Sequence, residues 1–598
     1  SPLAGAEKAQ PASLTAFGAA VEVNVVNVEV YATDKGGKRV NDLRQGDFEI
    51  LEDGKPVAIT NFTPVRLPAA GNQPAAGSPP APPPAPAGPR ADGNAWALVV
   101  YVDNANIAPA HRTRALEQIR EFLAHNVRPG DRVMLVTSDA AIKVWQPLTS
   151  DPAALDAALG KMEKLAAQGP EIDVERRRAF REMMIINEAS IESLGPPCPA
   201  NIEVPARGFA ASRRAEVRRS LGALTLLVNS LSGVPGRKAV LHVSDGLPAV
   251  PGEELYQFLL ELCGGGGGTE GLWHPTPTAS GSDKKPIPTF DPMAVYDARE
   301  IGPAAYQAAS QAMTDAQAFS IAKDLATLVA HANAHQVTLY TLQASGVSGT
   351  DASDVSYGPD ERLFQFASIG RVQRASLQES LQTLAEGTGG KAILNANDWR
   401  PDLAGLKEDF ETFYSLGYSP AHNGDGKEHK IEVRVKRPSI RLRYRLSYRD
   451  KPAMEKAVDR TLAALLYGVE DNPLEIAVEM GDQVPGASGT FSVPIRLRIP
   501  LHKLAILNRE QTFEGSLRLL VASRSEDGRS APVRQVSVPI KIPRQQVLNA
   551  LGQYYVYTLT LQLPPGNHRV AVGVRDEIAT TTSFLSREVA VDAKVSAK

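Results

Sequence analysis

The segment Trp96-Ala-Leu-Val-Val-Tyr-Val-Asp103 is apolar at every position until it stops at a carboxylate. A strand with no polar face has to be covered on both sides, as happens at the centre of a parallel sheet between two helical layers. Arg132-Val-Met-Leu-Val-Thr137, Lys238-Ala-Val-Leu-His-Val-Ser244 and Val337-Thr-Leu-Tyr-Thr-Leu342 repeat the pattern, and the second of these again runs into a carboxylate, Asp245-Gly246. Ile142–Trp145 is expected to pair beside 132–137. Helical spacing separates these strands. It places Leu116, Ile119, Phe122 and Leu123 on one face of a helix from about Pro109 to His125. A second helix starts at Asp151 as N-cap with Pro152 in its first turn, and Leu155, Leu159, Met162 and Leu165 mark its face. Further helices are expected over 174–190, 209–232, 253–262, 303–335, 375–386 and 402–412, with a short strand at Lys391–Leu394. Strand and helix in this rhythm predict an α/β unit with a doubly wound parallel sheet. Ligands of such sheets bind beyond the carboxyl ends of the strands, which is where Asp103 and Asp245 fall.

The pattern changes on either side. At 598 residues the chain is too long for one core, and several domains are expected. Residues 1–18, rich in Ala and Pro, are expected to be flexible. Residues 19–67 form a small β module from Val21–Tyr31, Phe48–Leu51 and Val57–Phe62, with a hairpin turn at Glu52-Asp-Gly-Lys55; it reads as half a sandwich in need of strands from elsewhere. A Pro/Ala-rich linker follows over 68–93. The α/β unit occupies 94–413, with long insertions at about 167–210 and 264–300. Tyr414–Tyr418, Lys430–Val435 and Arg441–Tyr448 then alternate, so that 414–450 completes a β module; the arginines of 441–448 read as a solvated face. A linking helix is expected over 451–470, and a β-sandwich of immunoglobulin-like type over 471–598, from the alternation Phe491, Val493, Ile495, Leu497, Ile499 and from strands near 515–522, 535–542, 554–562, 568–574 and 583–591.

Composition narrows the partners. With 64 basic and 67 acidic residues the net charge is -3, which points to neither nucleic acid nor an anionic membrane. No apolar run reaches the roughly 20 residues that span a bilayer. The chain opens Ser-Pro-Leu-Ala-Gly without Met and without Cys at position 1, which is the expectation for a secreted or periplasmic protein after signal-peptide removal, with no lipid anchor. The two cysteines, Cys198 and Cys263, suit a disulfide in an oxidising compartment; two unrelated thiols are the alternative.

A strand ending in Asp103, a second ending in Val243-Ser-Asp-Gly246, and Leu148-Thr-Ser-Asp151 opening a helix resemble a von Willebrand factor type A domain. The stretch Val40–Lys55, together with Tyr414-Ser-Leu-Gly-Tyr418 and Gly426–Val435, is similar to the flanking modules of bacterial VWFA-related proteins typical of Acidobacteria. The resemblance covers roughly residues 20–450 and implies a metal-ion-dependent adhesion site, in which Asp-x-Ser-x-Ser, a threonine from a second loop and a further Asp bind a hard cation such as Mg²⁺ or Ca²⁺. Asp103 stands at the first position and Asp245 at the last. Ala105 and Ile107 replace the two serines, Asn104 and Asn106 fall between the ligand positions, and Ala167-Gln-Gly-Pro-Glu171 supplies no threonine. The site is therefore read as degenerate, with no cofactor expected. The bland alternative is that Asp103 and Asp245 cap loops and helix ends.

Other constellations are weaker. His331-Ala-Asn-Ala-His335 has the i, i+4 spacing of a zinc helix but lacks its glutamate and a third ligand. The glycine run 264–268 has no Lys-Ser/Thr ending, and no Gly-x-Ser-x-Gly elbow occurs. The expectation is a non-catalytic, adhesion-like protein that binds a protein or surface partner at the sheet tips. A structural subunit of an extracellular or envelope assembly is the alternative, and a hydrolase using the two aspartates a distant third.

Overall fold

In a computed structural model of the chain, β5 (Trp96–Asp103) is buried at all eight positions. The structure describes residues 25–66, 96–127, 130–139, 141–166, 169–195, 198–263, 311, 314–347, 367–486 and 489–592; the N-terminal stretch 1–18, the linker 68–93 and the loop 264–300 lie outside the described residues. The chain divides into two units, 26–452 and 453 onward.

The first unit opens with β1 (Val26–Thr33), β2 (Phe48–Glu52), β3 (Lys55–Val57) and β4 (Ile59–Arg66). After β5 come α1 (Pro109–Asn126), β6 (Arg132–Ser138), β7 (Ile142–Thr149), α2 (Pro152–Met162), α3 (Gly169–Glu192), α4 (Val204–Ser230), β8 (Arg237–Ser244), α5 (Glu253–Cys263), α6 (Ala322–Ala334), β9 (Val337–Gln343), α7 (Ala367–Gly387), β10 (Ala392–Ile393) and α8 (Arg400–Glu411). These build a mixed α/β unit around a six-stranded sheet of order β10-β9-β8-β5-β6-β7. It is parallel except for β7, which returns antiparallel along β6. Leu98, Val100 and Val102 of β5 share a core with Leu116 and Ile119 of α1, Leu159 of α2 and Leu406 of α8. Val99 and Tyr101, on the opposite face, are equally buried, while α6 and α7 pack on β9 and contribute nothing to the first core. Asp151 caps α2 by accepting from the Ala153 N–H at 2.9 Å.

Four strands follow: β11 (Thr412–Tyr418), β12 (Glu428–Val435), β13 (Arg441–Arg443) and β14 (Ser447–Arg449). None pairs only with its sequence neighbours. One sheet runs β13-β1-β11-β4 and the other β14-β12-β2-β3, so each mixes strands from before and after the α/β unit. Val28, Val30, Phe48, Ile50, Leu416, Ile431 and Val433 form the core between them. The α/β unit is thus inserted into a β-sandwich, and Arg237 at the start of β8 bolts the two together. Its guanidinium reaches Glu29 of β1 at 2.9 Å and the Tyr31 hydroxyl at 2.7 Å, and lies 3.9 Å over the Phe413 ring.

Three local expectations are corrected. Arg441–Tyr448 is two strands in different sheets rather than one, and Arg443 faces inward: the buried carboxylate of Asp409 takes its guanidinium at 2.5 Å, and the Tyr31 ring lies 4.6 Å beneath it. The helix expected over 303–335 is interrupted by turns at 318–320 before α6 begins, and 301–310 lies outside the described residues. Helix α2 ends at Met162, which leaves Leu165 beyond it. The insertion at 167–210 is mostly helix, contributed by α3 and the start of α4.

The second unit begins with α9 (Ala453–Tyr467), continues through β15 (Ala477–Met480), β16 (Val484–Pro485), β17 (Phe491–Pro500), β18 (Leu507–Asn508), β19 (Thr512–Ser525) and β20 (Arg534–Pro543), and closes with α10 (Val547–Leu551), β21 (Tyr554–Leu563), β22 (Gly566–Asp576) and β23 (Thr582–Val591). Strand β17 lies between β15/β16 and β21 in one antiparallel sheet; β19 lies between β20 and the β22–β23 pair in the other. Val493, Ile495, Leu497, Leu519, Val538 and Val572 fill the space between the sheets. Helix α9 covers the far side of the second sheet, with Ala457, Ala464 and Leu465 against Leu520, Ala571 and Phe584.

Because β1, β2 and β4 find partners between 346 (Arg66 to Thr412) and 392 (Val26 to Tyr418) residues away, in β11 and β12, and β3 pairs only with β2 among the described residues, a peptide of residues 26–66 is expected to give a disordered far-ultraviolet circular dichroism spectrum alone. An independent β signature from that peptide would contradict the mixed pairing.

Candidate functional site

Parallel pairing of β5 with β8, Val102 opposite Val243, delivers Asp103 and the Ser244-Asp245 turn to the same end of the sheet. There they diverge. Asp103 is 1 % exposed. Its carboxylate accepts from the Asn106 amide at 2.8 Å and from the Ser220 hydroxyl at 3.5 Å, and His242 Nε2, itself buried, lies 3.7 Å away. Asp245 turns aside. Its Oδ2 accepts from the Ala108 N–H at 2.8 Å, at the start of α1, and both its oxygens lie within 3.0 Å of His111 Nδ1. An acceptor at a helix N-terminus is favoured there by the exposed amide groups and the helix dipole.

The two asparagines decide what else fits. Arg213, projecting from α4 and 6 % exposed, donates to Asn106 Oδ1 at 2.5 Å. With its oxygen taken, the amide must point its NH₂ at Asp103 and Ser220. Asn104 is used similarly: its NH₂ reaches Asp139 at 2.6 Å and the Ala166 carbonyl at 2.7 Å, and its oxygen accepts from Arg112 at 2.5 Å. Ile107 is fully buried in the sheet core. These residues do not fit a hard divalent cation, which wants oxygen ligands converging on one point. Donors face Asp103, one serine position is a core side chain, and Asp245 is committed to a helix end. The space beside Asp103 is therefore filled by protein side chains.

Above the tips lies a cavity of about 550 Å³ lined by α3, α4, α5 and α7 among others. Arg114, Arg176, Arg213 and Arg374 reach it, as do His111, Asp173, Asp245 and Glu254. Asp173 is paired with Arg176 at 2.9 Å. Burial raises the pKa of Glu254, against the pull of Arg176 and Arg213. Arg114 lies 4.9 Å over the Trp399 ring and donates to the Ala344 carbonyl. Arg114 and Arg374 have no carboxylate partner among the described residues. Cys198 and Cys263 are joined by a disulfide, with Cα atoms 5.9 Å apart, tying the end of α5 to the α3–α4 connection beside this wall. Asp103 and Asp245 were legible as strand ends, but Arg213 was not. It lies 107 residues from Asn106, on α4, and nothing local in the sequence ties the two together.

The histidine pair on α6 is no metal site. His331 is 3.2 Å from the Asn229 amide oxygen, and the Lys451 ammonium sits 2.6 Å from His335 Nδ1. Burial, reinforced by that ammonium, pushes His335 down to about 3.

No family model and no curated protein matches the chain. Among solved structures it is similar to a von Willebrand factor type A protein from Catenulispora acidiphila (11 % identity, TM-score 0.18, covering 84 % of this chain and 67 % of that one). It is also similar to the conserved hypothetical protein BatB from Bacteroides thetaiotaomicron (10 %, TM-score 0.22, 53 % and 96 %). A third is the type V pili tip protein Mfa5 from Porphyromonas gingivalis, in its three N-terminal domains (10 %, TM-score 0.20, 95 % and 78 %). Scores at this level carry no weight for function, and the site has to be read from its own chemistry.

His335 makes that chemistry testable against pH. A histidine held neutral in the fold takes up a proton near its ordinary value only when unfolded. Its contribution to stability is present above about pH 6.5 and is lost as pH falls toward about 3. The melting temperature is expected to fall between pH 7 and pH 4.5, and His335→Gln to reduce that fall, read by thermal denaturation at both pH values.

Proposed function

We propose that the chain is a non-catalytic interaction protein of the cell exterior or envelope, built on a von Willebrand factor type A domain whose metal has been replaced by a guanidinium. The observation that carries this reading is Arg213 on Asn106 beside buried Asp103. Arg213, itself paired with Glu216 at 3.0 Å, locks the Asn106 amide onto Asp103 where a metal would otherwise sit, and leaves the arginine-rich cavity above it as the recognition surface. Arg114 and Arg374 have no carboxylate partner among the described residues, and a planar guanidinium matches a carboxylate through two parallel hydrogen bonds. The partner on this reading is a protein that inserts an acidic side chain or chain end. A disulfide between Cys198 and Cys263 suits an oxidising compartment, and among the described residues no helix is long and apolar enough to cross a membrane.

Capture of the native partner from an envelope fraction is expected to persist in EDTA and to weaken at least tenfold in the charge-reversed Arg114→Glu/Arg374→Glu variant. Capture that disappears in EDTA and returns with Mg²⁺ would sink the metal-free reading.

A second reading, a structural subunit that assembles edge to edge, is favoured by one feature. Strand β21 pairs only with β17 among the described residues, and its ten positions carry no charge and no proline. Strand β20, in the other sheet, carries Pro539, Lys541 and Pro543, which guard an edge against pairing. Concentration-dependent oligomers in sedimentation that vanish in Val556→Lys are the outcome this reading requires; a monomer at high concentration excludes it.

A further inference from the structure

Far from the strand tips, the β-sandwich of the first unit holds a cluster of imidazoles and carboxylates that the tip site does not use. We infer that Glu52, His422 and His429 form a binding site for a transition-metal dication of the Zn²⁺ class.

Sheet register builds the site. In β12, Ile431 lies opposite Glu52 of β2, and His429 lies opposite Tyr448 of β14. The turn between β11 and β12 brings His422 onto the same spot, where its ring stacks on His429 with centroids 3.8 Å apart and planes 11° from parallel. Glu52 is 8 % exposed and His429 7 %. One ligand atom from each of Glu52, His422 and His429 lies within 4.8 Å of the other two. Zinc bound tetrahedrally through N and O holds its ligand atoms about 3.3 Å apart, and Glu52 Oε1 already stands 3.5 Å from His422 Nε2.

The surroundings point the same way. Each imidazole has Nδ1 on a carboxylate: His422 on Asp450 at 2.8 Å and His429 on Asp53 at 2.8 Å. This outer carboxylate is the usual support of a metal-binding histidine, because it sets the tautomer and leaves Nε2 as the donor. The two Nε2 atoms then face further acceptors, Glu52 for His422 and Asp425, 3.3 Å away, for His429. Glu52 in turn is oriented by the hydroxyls of Tyr418 at 2.8 Å and Tyr448 at 2.7 Å, both on Oε1. A neutral imidazole has one N–H, so one nitrogen–oxygen contact of each ring lacks a hydrogen unless the ring is protonated. Protonating both rings would stack two cations face to face. A single dication supplies the charge without that repulsion, once the stack opens so that both Nε2 lone pairs converge while Nδ1 stays on Asp450 and Asp53. The signal in the sequence is His422-x₂-Asp425-x₃-His429, which spacing alone does not tie to Glu52.

The test uses the full chain, freed of metal and titrated with Zn²⁺ by calorimetry, with Co²⁺ as a spectroscopic probe. One Zn²⁺ per chain, a higher melting temperature with Zn²⁺ and nitrogen-ligated Co²⁺ absorption are expected. Affinity should fall at least tenfold in His422→Gln/His429→Gln, checked for folding by circular dichroism, and should be unchanged in Asp245→Asn at the strand tips. No Zn²⁺ binding by the wild type up to about 100 μM, or equal binding by the double histidine variant, would overturn the site. So would stabilisation by acid without any response to Zn²⁺, which would mean that protons alone serve the cluster. None of these results bears on partner capture at the tips.

Discussion

A strand buried on both faces has to end inside the protein, and β5 ends in a carboxylate that is 1 % exposed. Much of the chain's architecture near the tips can be read as the answer to that one buried charge. An isolated carboxylate in the interior costs several kcal/mol, which only hydrogen bonds and nearby positive charge recover. Asn106, Ser220 and His242 surround it, and Arg213 fixes the orientation of the amide that does most of the donating. Those groups come from β5's own turn, from α4 and from β8, so the position of α4 across the tips is coupled to the strand beneath it. Removing Arg213 would leave both a buried amide oxygen and a buried carboxylate poorly matched.

This solution differs chemically from a metal. An exchangeable ion depends on the solution around it and leaves open coordination positions for a partner. A guanidinium on a helix is permanent and directional, and it closes the spot it occupies. On the proposed reading, recognition moves outward to the cavity walls built by α3, α4, α5 and α7, where Arg114 and Arg374 have no carboxylate partner among the described residues. The disulfide joining Cys198 to Cys263 lies on the same helical wall.

Legibility from the residues alone followed the range of the interactions. The all-apolar strands, the Asp151-Pro152 helix start and the alternation of β17 were readable because each is decided within a few residues. The four-plus-four sandwich was only half readable: 19–67 looked short of strands, but nothing local names β11–β14 as the missing ones. Arg441–Tyr448 read as one strand because its alternation is real, and it splits because Asp409 pulls Arg443 inward while Ser447 and Tyr448 pair with β12. At the tips, it was visible that Ala105 and Ile107 offer no oxygen ligand. What replaced them was not, since Arg213 and Asn106 meet only in three dimensions. The histidine cluster was missed for the same reason, being assembled from the β2 end, the β11–β12 turn and the start of β12.

The interrupted sandwich also has a mechanical meaning. The described chain enters the first unit at Val26 and leaves it at Pro452, and both points belong to the sandwich rather than to the inserted α/β unit. Tension applied between them would be borne by the ladders that β1 makes with β11 and β13 and that β14 makes with β12, with the inserted sheet and its cavity off the line of force until those ladders part. A partner held at the strand tips would accordingly feel little of a pull transmitted along the chain.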